Sequence, residues 1–138
     1  MQTVQPQLQD SPAPTAQQIE ALLPVLQDYF DGLYTCDLDI FKRIFHPRAV
    51  YATADETPLL YRDMPTYFEV LAQRQSPASR GEERHDVIDQ IQFAGANTAF
   101  AQVRCRIGTK QFVDFLTLVR EGGQWKIMAK IFHIQENN

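Results

Sequence analysis

The sequence predicts a single α+β domain, with helices gathered in its first half and a meander of strands in its second. Three observations carry this. Apolar residues recur at helical spacing from Ile19 to Leu33. From Arg84 the period changes to two. Near the C-terminus, two apolar runs flank Gly122–Gly123, the pair a two-residue hairpin turn needs because its central residues take positive φ. At 138 residues one domain can bury a substantial core.

Residues 1–14 are rich in Gln and Pro, with few apolar groups to offset the entropy of ordering, so a mobile tail is expected there and the domain over 15–138. Thr15 and Gln18 have capping-box spacing. The helix that follows carries Ile19, Leu22, Leu23, Leu26, Phe30 and Leu33, with Tyr29 and Tyr34 widening the stripe and Pro24 predicting a kink. Asp37 is placed to cap a short second helix with Ile40, Phe41, Ile44 and Phe45, closed by Pro47. A brief strand is expected over Ala49 to Thr53 and a loop from Asp55 to Asp63. Asp63 caps a third helix that tolerates Pro65 in its first turn and carries Tyr67, Phe68 and Leu71. SPASRGEE, from Ser76, has loop composition.

Strand alternation follows. Ala99, Ala101, Val103, Cys105 and Ile107 fall on one face, opposite Phe100, Gln102, Arg104 and Arg106. A tight Gly122–Gly123 turn pairs Glu121 with Gln124. An unbroken ladder from there sets Phe112, Asp114, Leu116 and Leu118 on one face with Trp125, Ile127, Ala129, Ile131 and His133. Asp114 and His133 are then diagonal neighbours, while Lys130 points to the other side; a bulge would exchange these faces. The Trp125 face suits the helix-covered interior. The face with Phe115, Met128 and Phe132, rimmed by lysines, becomes an expected homodimer surface.

The formal charge of −4 argues against a nucleic-acid surface. No apolar run approaches membrane-spanning length, and MQTVQPQLQDSPAPT lacks the basic and apolar regions of a secretory signal, so a cytoplasmic protein is expected. Cys36 and Cys105 show no CxxC spacing and read as free thiols. His46, His85 and His133 lack metal-site spacing, and no metal or cofactor is expected.

The hairpin FVDFLTLVREGGQWKIMAKIF is similar to the closing hairpin of the lumazine-binding-like subgroup of the nuclear transport factor 2-like superfamily, related to ketosteroid isomerases and polyketide-cyclase-like proteins. In that subgroup an Asp in the penultimate strand recurs with WKI and a Lys-Xaa-Phe ending. The amphipathic first helix, the segment DLDIFKRIFHPRAVY and the Asp before the third helix extend the resemblance over roughly residues 16–135. It implies a cone-shaped α+β barrel, three N-terminal helices on a curved, mostly antiparallel sheet, enclosing a cavity for a small hydrophobic or carbonyl-containing ligand. Acidic, tyrosine and histidine groups line such cavities in related isomerases and dehydratases. The matching types here are Tyr34, His46, Tyr51, Asp114 and His133, with Phe30, Trp125 and Ile131 as further ligand contacts.

Two functions follow from Asp114. Burial disfavours the charged form of a carboxyl, which suits Asp114, partnered by His133, to proton transfer in a cofactor-independent isomerase or dehydratase. Otherwise Asp114 is a structural carboxylate in a non-catalytic ligand-binding or dimerisation module. The first requires Asp114, a tyrosine and a histidine to converge on open space. The second requires its oxygens to be bonded to protein, or no cavity at all.

Overall fold

The computed structural model describes residues 6–7 and 12–136, so the tail expected over 1–14 lies mostly outside the described residues. Helix α1 (Ala16–Thr35) begins with the capping box: the Thr15 hydroxyl accepts from the Gln18 N–H while the Gln18 side chain accepts from the Thr15 N–H. It continues through Pro24 and ends at Cys36 in the left-handed region. Asp37 caps α2 (Leu38–Ile44), and Asp63 caps α3 (Met64–Gln73) through the Thr66 N–H. Helix α1 crosses α2 at Gly32, where a Cβ would lie 2.3 Å from the Phe41 ring, so only glycine permits this approach.

Six strands form one sheet in the order β2-β1-β6-β5-β4-β3: β1 (Phe45–Thr53), β2 (Leu60–Arg62), β3 (Val87–Ala94), β4 (Thr98–Ile107), β5 (Lys110–Glu121) and β6 (Gln124–Glu136). All neighbours are antiparallel except β1 and β6. Strand β1 starts directly after α2 and runs through Pro47, four residues earlier than expected. The short β2 interrupts the loop expected from Asp55. The three helices cover one sheet face around Leu22, Leu26, Phe41, Phe45, Leu116 and Ile127, all essentially inaccessible. The architecture is an α+β cone with an open, mostly antiparallel sheet. Among the described residues no helix is long and apolar enough to cross a membrane.

The β5–β6 hairpin turns at Gly122 and Gly123, both at positive φ, and Glu121 pairs with Gln124 as the turn requires. The ladder holds that register only to Leu118↔Ile127. The next pair is Thr117↔Ala129, so Met128 is an extra residue in β6. This bulge exchanges the faces of everything beyond it. Lys130, Phe132 and Ile134 turn inward beside Leu116, Asp114 and Phe112, while Ile131 and His133 turn outward. The unbroken ladder expected from the sequence is thus corrected at one residue, and Asp114's neighbours change with it.

On the outer face one row crosses the sheet. Tyr61 pairs with Ala52, Ala52 with Ile131, and Ile131 with Phe115. Tyr61, Ile131 and Phe115 are exposed, and Phe100 stacks edge-on against Phe115. Phe132, expected on this face, is buried on the other.

Candidate functional site

Helix α1, strands β1, β5 and β6, and helix α3 together bring Tyr29, Tyr51, Asp114, Lys130 and Tyr67 to the centre of the interior. Asp114 is fully buried and Lys130 is 4% exposed. Tyr29 donates to Asp114 Oδ2 at 2.6 Å, whereas Oδ1 and the Tyr67 hydroxyl are buried without a hydrogen-bond partner. The Lys130 ammonium lies 5.2–5.6 Å from the ring centres of Tyr29, Tyr51, Tyr67 and Phe132. Ring faces attract a cation most strongly where water is excluded.

This surrounding fixes the ionisation of the cluster. Burial works against a charge on Lys130, but Tyr67, Asp114 and Tyr51 facing it more than offset that, and its pKa is raised. Burial, reinforced by the Asp114 carboxylate, pushes the Tyr29 hydroxyl well above the ordinary tyrosine range. Burial also raises Tyr67, with Lys130 pulling the other way. The Cys105 thiol is pushed up to about 12 by burial and by Asp114. Lys130 therefore holds its proton at neutral pH and has a poor lone pair for nucleophilic chemistry.

Of the residues expected to meet at Asp114, only Tyr51 comes near. His133 points away: its Nδ1 lies 2.6 Å from Asp55 Oδ2, which also accepts from the Ile134 N–H. Ile131 is 46% exposed on the outer face. The Met128 bulge moves both, and with His133 outside, the expected Asp114–His133 pair does not form. His46 sits in β1, its Nδ1 accepting from the Arg48 N–H and its Nε2 3.4 Å from Glu121. Tyr34 donates to the Glu82 carbonyl under the Arg84 guanidinium. Phe30 packs beside Tyr29 in the core. Among the described residues no three His, Cys, Asp or Glu side chains gather as metal ligands.

Trp125 occupies a different place. It lines a cleft of about 590 Å³ between the first half of α1, the end of α2 and the turn ends of the strands. Phe93 meets its ring edge-on at 5.7 Å. Val25 and Ile44 extend the apolar wall, and Arg43, Arg120 and Gln124 supply polar groups. Neither Asp114 nor Lys130 lines this cleft or the smaller one beside Phe30 and Arg84. Lys130, Tyr29 and Tyr67, central to the interior, and Arg120 and Phe93, central to the cleft, were not among the residues expected from sequence.

Fold and cleft together define a class: an α+β cone with an open cleft between its first helix and the turn ends of its strands. The chain belongs to the family described as Putative lumazine-binding, whose pattern matches residues 17–133. It is similar in structure to an NTF2-like protein of unknown function from Shewanella baltica OS155. The two share 24% identity over 91% of this chain and 100% of that one, with a TM-score of 0.78. A second NTF2-like protein of unknown function, from Silicibacter pomeroyi DSS-3, gives 21% identity, 89% and 100% coverage, and a TM-score of 0.74. A ketosteroid isomerase-like protein from Erwinia carotovora atroseptica SCRI1043 has the same fold at 9% identity, 89% and 100% coverage, and a TM-score of 0.69. No curated protein matches the chain.

Proposed function

We propose that this protein binds a small molecule in the Trp125 cleft and that Asp114 is a structural carboxylate. The observation that carries the reading is the separation of the two sites. The open volume lies at Trp125, whereas Asp114 is sealed beneath Tyr29 and Lys130. A cleft of this size, in which Trp125, Phe93, Val25 and Ile44 stand beside several polar side chains, suits a small ligand. The family's description supports ligand binding as the general role. In this reading Asp114→Asn leaves ligand affinity at the cleft unchanged. A calorimetric titration in which that variant, shown to be folded by its circular dichroism, loses binding would return Asp114 to the site.

A second reading keeps Asp114 for proton transfer, and the unpartnered Oδ1 favours it. It requires the interior to open, with the Tyr29–Asp114 pair meeting a carbonyl-containing substrate. Exchange of a ketone's α-hydrogen with deuterated solvent, present in wild type and absent in Asp114→Asn, would support it; equal rates in both would end it.

The outer row of Tyr61, Ile131 and Phe115 supports a homodimer formed by two copies of this face. Light scattering of the Phe115→Glu, Ile131→Glu variant tests this, and a wild type already monomeric at micromolar concentration would refute it. A cytoplasmic location is consistent with the free thiols at Cys36 and Cys105.

A further inference from the structure

The lining of the Trp125 cleft points to one ligand class, and we infer that it takes a planar aromatic molecule bearing a single negative charge. This rests on the cleft being the ligand site. Its shape argument is the aromatic corner made by the indole of Trp125 and the Phe93 ring set edge-on to it, continued by the side chains of Val25 and Ile44. An aromatic ligand gains offset or edge contacts with such rings beyond the area it buries.

The charge argument comes from the three ionised residues in the lining. Arg43 Nη2 lies 3.0 Å from Asp28 Oδ2, so those two charges cancel. Arg120 forms no ion pair among the described residues, and the register sets it directly across the hairpin from Trp125. The cleft therefore carries one net positive charge on a chain whose formal charge is −4. A guanidinium beside an indole suits a carboxylate or a similar oxyanion attached to a ring, since it can donate two parallel hydrogen bonds. A cationic ligand would meet Arg120 unfavourably. A dianion would need a second free cation, and Arg43 is already committed to Asp28. The remaining polar contacts are uncharged: Gln17 and Gln124 offer amides, while the Gln18 amide oxygen is engaged by the Thr15 N–H.

Isothermal calorimetry with three probes of one shape tests the inference: 2-naphthoate, 2-naphthylmethanol and 2-naphthylmethylammonium. Trp125 is the sole tryptophan, so its single indole N–H resonance reports whether a probe reaches the cleft. The naphthoate is expected to bind at least tenfold more tightly than the alcohol, and the ammonium more weakly than either. Arg120→Gln is expected to abolish the naphthoate's advantage and leave the alcohol's affinity unchanged, with the amide spectrum confirming an intact fold. If the alcohol binds as tightly as the naphthoate, or Arg120→Gln leaves their ratio intact, the ligand class is wrong while the cleft remains a binding site. If no probe binds and the indole resonance does not move, the cleft reading itself fails.

Discussion

Lys130→Met should be among the costliest single substitutions in this protein, and its cost should largely vanish when Asp114 is also made neutral. Lys130 is buried over four rings, and a desolvated cation–π contact contributes about 2 kcal/mol. Its removal also strands Asp114, whose Oδ1 already lacks a partner and whose Oδ2 holds only the Tyr29 hydroxyl. Leaving one of two electrostatically coupled buried charges uncompensated costs roughly 3–5 kcal/mol, a fifth or more of the stability of a typical domain. Asp114→Asn alone strands the ammonium instead, at a similar cost. In the double variant the Asn carbonyl still accepts from Tyr29, and Met fills the stem of Lys130 among the aromatic rings. The double variant should therefore fall within about 1–2 kcal/mol of wild type, because neither charge is left alone. Equilibrium urea unfolding, followed by Trp125 emission and far-ultraviolet circular dichroism, completes the double-mutant cycle. Two costs that simply add would refute the reasoning, because they would mean the two charges do not act as one unit.

Three further outcomes follow from the same geometry. Stability should fall as pH rises above about 9, because unfolded Cys105, Tyr29, Tyr67 and Lys130 lose protons that the folded state retains at these raised pKa values. Cys105→Ala removes the earliest of these, whose folded value is about 12, and should flatten the urea-derived stability profile between pH 9 and 10; an unchanged slope there would contradict it. Gly32→Ala should destabilise by about 1–3 kcal/mol through the Phe41 clash, although alanine in a helix otherwise gains about 1 kcal/mol over glycine. Gly32→Ala combined with Phe41→Leu should recover part of that loss in thermal unfolding. Asp55→Ala should speed hydrogen exchange at the Ile134 amide, since Asp55 Oδ2 accepts from it; equal protection in both proteins would show that the contact holds nothing in place.

Much of the architecture was legible because local chemistry and global packing agree. The Thr15 capping box, the Asp37 and Asp63 caps and the Gly122–Gly123 turn are all local devices, and each does in the fold what its residues predict. Strand β4 was legible for a different reason: it alternates without interruption, and Ala99, Ala101, Val103 and Cys105 are all buried. The start of β1 was missed because Pro47 reads as a helix terminator, which it is, but the chain turns into a strand without a loop between. The cleft was only partly legible. Trp125 stood out by type, whereas Arg120 and Phe93 reach it from two other strands, and no sequence spacing joins them.

The interior was missed at one residue, and the signal for that residue was present. In β6 the inward apolar positions at the turn end are odd, Trp125 and Ile127, whereas Phe132 and Ile134 at the far end are even and alternate with His133 and Gln135. A strand cannot present both sets to one core without a one-residue offset between them, and Met128 is that offset. Lys126 and Lys130 have the same parity and would share a face in an unbroken strand; only the bulge sends Lys130 inward.

That offset also bears on function. In a straight β6, Ile131 would take the place of Lys130 on Asp114's side of the sheet, among Tyr29, Tyr51 and Tyr67. With the bulge, the protein's own ammonium lies among the four rings at its centre. Any ligand group entering that space would have to displace a charge held by Asp114 and by four ring faces, which costs several kcal/mol before any new contact forms. The cleft, bounded by Trp125, Phe93 and Arg120, asks for no such displacement. The proposed site therefore lies at the turn end of the hairpin, before the bulge, where the register predicted from Gly122–Gly123 still holds.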